Sequence, residues 1–140
     1  MKPQSSSLVS GSLDERIDQL RRALAASWSA ETTLYHHFDG AHPTDGQCIP
    51  TALVVQDHLG GQILTGEAWF DDGPDDGGVR HYWNQVDEID VDMTREQFPP
   101  DAEMLGGAEI ERDALLSNKR ISDRYEILAD AVRARLVVSD

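Results

Sequence analysis

Gln47-Cys48-Ile49-Pro50-Thr51-Ala52-Leu53-Val54-Val55-Gln56-Asp57-His58-Leu59-Gly60-Gly61 is the stretch on which the fold turns. Ala52, Leu53, Val54, Val55 and Leu59 leave little polar face, so a helix here must be central and buried. Pro50 is compatible only with its first turn, where a missing N–H costs nothing. That sets Cys48 at or just before the helix start. Gly60-Gly61 supply a left-handed stop. Cys48 is the only cysteine. The free N–H groups and macrodipole of a helix N-terminus favour a thiolate there.

Outward from this helix, the periodicity predicts a helix from Leu13 to about Ala26. Ser12 and Glu15 form a capping-box pattern, and Leu13, Ile17, Leu20 and Leu24 make one apolar stripe. Ser29 is placed to cap a short second helix through Glu31 to Phe38. Downstream, strands are expected at Gln62–Trp69, Val79–Val86 and Ile89–Met93. Thr94-Arg95-Glu96-Gln97 is a second capping-box pattern, predicting a short helix through Phe98 that Pro99-Pro100 end. Asp101 to Gly107 reads as loop and Ile110–Leu116 as helix. A last helix starts near Ser122, with Ile121, Tyr125, Leu128, Val132 and Leu136 on its apolar face. Helices, then a small antiparallel sheet, then a helix describe a single α+β domain over 13–140, behind a flexible polar lead-in at 1–12.

Composition narrows the function classes. The 140 residues carry 39% hydrophobic side chains, enough for one core without staples. A single cysteine excludes an internal disulfide and fits a reducing, cytoplasmic setting. No apolar run reaches membrane-spanning length, and the N-terminus does not read as a signal peptide. The formal charge of −14 repels nucleic acid and anionic membranes. Asp71-Asp72-Gly73-Pro74-Asp75-Asp76-Gly77-Gly78 reads as a solvated loop without the ligand spacing of a calcium loop. His36, His37, His42, Cys48 and His58 are dense enough to suggest zinc. Yet His36 and His37 diverge on a helix, and His58 lies three turns from the thiol, so no metal is expected. No cofactor is called for, and nothing in the pattern sets the number of subunits.

The hairpin after Val79 supplies a geometric test. If Asp87-Glu88 is a two-residue turn, Val86 faces Ile89 and Trp83 faces Asp92. His81 and Asp92 are then diagonal neighbours on one sheet face, roughly 7 Å apart at Cβ. Asp90 lies farther along, and Asn84 points to the other face. Cys48 as nucleophile, His81 as base and Asp92 as orienter are the residue types of a thiol acyl-transfer site. Gln47 is a side-chain oxyanion candidate, and Trp83 a candidate lining of a substrate cleft. The plainer readings stand beside these: Cys48 as a small buried hydrophobe, His81 as a structural hydrogen-bonding residue, Trp83 as core.

Thiol helix, histidine strand and carboxylate strand follow the chain order of papain-like cysteine enzymes. Ala26-Ser27-Trp28-Ser29 with Glu31-Thr32, Gly46-Gln47-Cys48, Thr51-Ala52-Leu53-Val54-Val55-Gln56-Asp57, Gly60-Gly61, His81-Tyr82-Trp83-Asn84 and Asp92-Met93-Thr94-Arg95-Glu96-Gln97-Phe98 resemble the YunG-like family of small bacterial proteins. The resemblance covers about residues 24 to 98 well and the C-terminal helix weakly. It implies a compact papain-like or transglutaminase-like domain with candidate residues at Cys48, His81 and Asp92. Ile49-Pro50 departs from the small or branched pair expected after the cysteine, which bears on reactivity more than on fold. The expected function is a thiol-dependent hydrolase or acyltransferase acting on an amide or ester in a small molecule or flexible peptide. The rival is a non-catalytic binding module on the same scaffold, with a buried, unreactive Cys48.

Overall fold

A computed structural model describes residues 9–35, 38, 40–71 and 78–138. Helix α1 spans Leu13–Ser27 and opens on the expected capping box: Ser12 Oγ accepts from Glu15 N–H, and Glu15 accepts from Ser12 N–H. Helix α2 spans Cys48–Leu59, with Pro50 in its first turn and Gly60 at positive φ just past its end. Strands β1 (Gln62–Trp69) and β2 (Val79–Val86) have the expected bounds, and β3 is Ile89–Val91. Strand β4 (Glu103–Glu109), helix α3 (Arg112–Leu116) and helix α4 (Lys119–Val138) complete the chain.

The sheet is antiparallel in the order β3-β2-β1-β4. Asp87 and Glu88 form the tight turn between β2 and β3, both at positive φ (52° and 67°). Val86 then faces Ile89 and Asn84 faces Val91, which is the expected register.

Helix α2 is central because both of its flanks are apolar. Val54, Val55 and Leu59 join Leu20, Ala23 and Leu24 of α1, Leu128, Val132 and Leu136 of α4, and Val86, Val91 and Met93 beside the sheet. Ala52 and Leu53 face Ile63 and Leu115 instead. Burying such side chains contributes roughly 1.5–3 kcal/mol each before chain entropy is subtracted. Asn84, on the α2 side of β2, donates to the Ala52 carbonyl at 3.0 Å and pins helix to sheet. Arg112 ties α3 to its neighbours. It pairs with Asp57 at 2.7 Å, donates to Leu53 O and Gln56 Oε1, and reaches Tyr125 Oη at 2.7 Å.

Three local expectations are corrected. No helix forms among the described residues between Ser27 and Cys48. There, Thr32 and Thr33 turn their hydroxyls onto Gln47 Oε1 and Asp45 O, while Leu34 N–H bonds Gly46 O. Those tertiary bonds outcompete a local helix. The segment after Thr94 is a single 3-10 turn, Arg95–Gln97, and Thr94 makes no side-chain cap bond. The stretch expected as loop from Asp101 to Gly107 holds most of β4, with a register shift opposite Thr65 and Gly66. The inner part of the acidic segment, residues 72–77, lies outside the described residues, as do His36 and His37.

Candidate functional site

The two-residue turn fixes more than side-chain parity. Val86 and Ile89 face each other across it, so Val86, Asn84 and Tyr82 direct their backbone groups toward β3. But β3 stops at Val91, opposite Asn84. Tyr82 therefore points its backbone N–H into a gap at the sheet edge. The Tyr82 N–H lies near the Cys48 sulfur at the head of α2 and favours its thiolate form.

Asp92 leaves the sheet at the same gap. Its Oδ2 lies 2.7 Å from His81 Nε2, while its Oδ1 accepts Thr94 N–H at 3.2 Å. The diagonal pair expected from the register is present. The His81 ring is fully buried (0% exposed), whereas the Asp92 side chain keeps 16% of its surface. Trp83 stacks on the imidazole with centroids 5.6 Å apart, and Phe98 meets it edge-on at 4.9 Å. On the far edge of the ring, Gln97 Nε2 is 3.5 Å from His81 Nδ1.

Cys48 is a part-buried residue, but its sulfur is closely surrounded, and burial pushes the thiol up to about 11. The Asp92 carboxylate pushes in the same direction. The N–H groups of Tyr82, Ile49 and Cys48 itself oppose the rise without cancelling it. At neutral pH the resting thiol is therefore protonated. No hydrogen bond joins it to the His81 ring among the described residues.

Gln47 is fully buried and faces away from solvent. Its Oε1 accepts from Thr32 Oγ1 at 2.8 Å, and its Nε2 donates to Ser29 O at 3.3 Å. The N–H donors beside the sulfur thus come from the backbone. Trp83 is buried against Gly66 and Gly107, which is the core reading rather than an open cleft. Two cavities lie elsewhere among the described residues. One of about 180 Å³ sits between α1 and α4, and one of about 270 Å³ sits over Thr65, Arg80 and Gly106. No group of three potential metal ligands converges among the described residues.

Sequence reasoning missed Gln97, Phe98 and Tyr35. Gln97 and Phe98 reach His81 because the 3-10 turn folds back over it. The tyrosine packs on Gly46, where an added Cβ would lie 2.8 Å from its ring. Its hydroxyl is raised first by burial and then by its proximity to Cys48. Nothing local in the sequence marks these contacts, since each crosses a loop.

Fold and site together define a small α+β protein with a buried histidine–carboxylate pair beside a helix-head cysteine. The model of the YunG protein family matches residues 16–137, and the chain belongs to that family. It is 28% identical over 118 residues to a Bacillus subtilis (strain 168) protein described as "Uncharacterized protein YunG", covering 82% of this chain and 90% of the relative. No solved structure matches the chain.

Proposed function

We propose that this protein is a thiol-dependent acyl-transfer enzyme of papain-like design, acting on an amide or ester through Cys48, His81 and Asp92. The observation that carries the reading is the 2.7 Å His81–Asp92 pair, whose carboxylate lies close enough to Cys48 to push its thiol up. A fully buried imidazole with a carboxylate on Nε2 is oriented for one use of its other nitrogen.

In the reaction, the Cys48 thiol gives its proton to His81 Nδ1 as its sulfur bonds the carbonyl carbon. Asp92 steadies the imidazolium through Nε2–H. The imidazolium then returns the proton to the leaving amine or alcohol, and a thioester remains on Cys48. Water or an amine attacks that thioester, giving hydrolysis or amide formation. Because the resting thiol is neutral, proton transfer to His81 accompanies attack instead of preceding it. Backbone N–H groups at the α2 start are placed as donors for the oxyanion. The substrate is a small molecule or a flexible peptide, which matches the modest size of the chain. No nucleic acid, membrane or cofactor takes part in this reading, and the setting is cytoplasmic.

A second reading rests on a specific observation: a thiol raised to about 11 by burial, beside the Tyr82 N–H, is also what a structural cysteine filling a sheet-edge gap looks like. The protein is then a binding module on the same scaffold. Incubation with p-nitrophenyl acetate followed by intact-mass analysis separates the two. Acyl transfer gives one acetyl group, mapped to Cys48 and absent from Cys48→Ala. A protein that stays unmodified while a small free thiol reacts is the binding module.

A further inference from the structure

Gln97 closes a sequence pattern that suggests a helix cap, yet Thr94 makes no side-chain cap bond and the Gln97 side chain turns inward. Its Nε2 lies 3.2 Å from Thr94 O, 3.1 Å from Thr94 Oγ1 and 3.5 Å from His81 Nδ1. A carbonyl oxygen accepts only from a donor, so the Thr94 O contact fixes which end of the amide is nitrogen. The second hydrogen of that nitrogen is then directed toward Thr94 Oγ1 and His81 Nδ1. An N–H facing Nδ1 is compatible with a bare nitrogen and repels a protonated one. On the opposite edge, the Asp92 carboxylate accepts, so Nε2 is the nitrogen that carries hydrogen. Donor and acceptor thus act in concert on one tautomer. The turn that carries Gln97 is held firmly. Arg95 donates to the carbonyls of Phe98, Pro99, Pro100 and Ala102.

We propose that Gln97 is a positioning residue for His81, selecting the tautomer in which Nε2 carries the hydrogen and Nδ1 is the accepting nitrogen. Its catalytic use rests on the acyl-transfer reading above; the tautomer it sets does not.

The test is the nitrogen spectrum of the His81 imidazole in ¹⁵N-labelled protein at mildly alkaline pH. Wild type is expected to show a protonated Nε2 and a bare Nδ1. Gln97→Glu replaces the donor with an acceptor and is expected to place a proton on Nδ1 and slow Cys48 acetylation by about tenfold or more. Gln97→Met removes the donor without supplying an acceptor. Its Nδ1 stays bare, with a resonance moved toward that of a free imidazole nitrogen. An Nδ1 resonance and proton occupancy identical in wild type and both folded variants would overturn the proposal, whatever the acetylation rate. If the spectra move as expected but wild type is never acetylated, the positioning role stands and the acyl-transfer reading falls.

Discussion

His81 Nε2 and Asp92 Oδ2 are 2.7 Å apart, with the imidazole wholly inside the protein and the carboxylate at the rim. Removing the carboxylate leaves a buried N–H without its partner. Asp92→Ala should therefore cost about 1–3 kcal/mol of stability in urea unfolding. Asp90 is two residues away but exposed, accepting from the Gln85 amide at 3.3 Å. Asp90→Ala should stay within about 0.5 kcal/mol of wild type. Equal losses at the two positions would remove the special status of Asp92.

The Cys48 thiol gives a pH prediction with a definite sign. Folding raises it from an ordinary value of 9.0 to about 11, chiefly by burial. The unfolded chain therefore releases this proton first. The contribution is present in full below the unfolded value and is lost as pH rises through the folded one. Tyr35 and Tyr125 are also raised by burial and share the sign. The difference between wild type and Cys48→Ala isolates the thiol: stability from about pH 9 to about 11 should fall less steeply in the variant. Parallel curves would mean that the thiol is not shielded.

The turn at Asp87-Glu88 holds two non-glycine residues at positive φ. This is the conformation of a hairpin turn that prefers Asp-Gly or Asn-Gly. Glu88→Gly should relieve left-handed strain and raise stability by about 0.5–1 kcal/mol, read as a higher melting temperature. A loss would show that the Glu88 side chain makes a contribution larger than its backbone cost.

Gly66 is the position where β1 has no room for a side chain. A Cβ there would lie 2.2 Å from Leu105 O and 2.8 Å from the Trp83 ring. Gly66→Ala should destabilise by about 1–3 kcal/mol. Because Trp83 stacks on His81, the variant should also perturb the tryptophan fluorescence and the His81 ring resonances. Unchanged spectra would mean that β4 simply moves away.

Much of this arrangement was legible in the sequence, and the reasons are local. Pro50 and Gly60-Gly61 bracket α2 by steric rules that hold in any context. The Asp87-Glu88 turn sets the β2–β3 register, and the register alone brings His81 to Asp92. Strand β4 was hidden because Gly106 and Gly107, both at positive φ, and its many exposed positions erase the strand pattern. It exists through pairing with β1. The expected helix after Ser29 fails for a related reason: Thr32 and Thr33 are recruited by residues 45–47, a tertiary demand that propensity does not carry. The partnership of Gln97 with His81 likewise depends on how a turn folds back.

The most direct measurement is the acetylation rate of Cys48 by p-nitrophenyl acetate in native wild type against native His81→Gln, followed by intact mass at neutral pH. General-base help from His81 predicts a fall of about 10²- to 10⁴-fold in the variant. Equal rates in the two folded proteins would contradict the acyl-transfer mechanism and leave Cys48 as the side chain that fills the gap beside Tyr82.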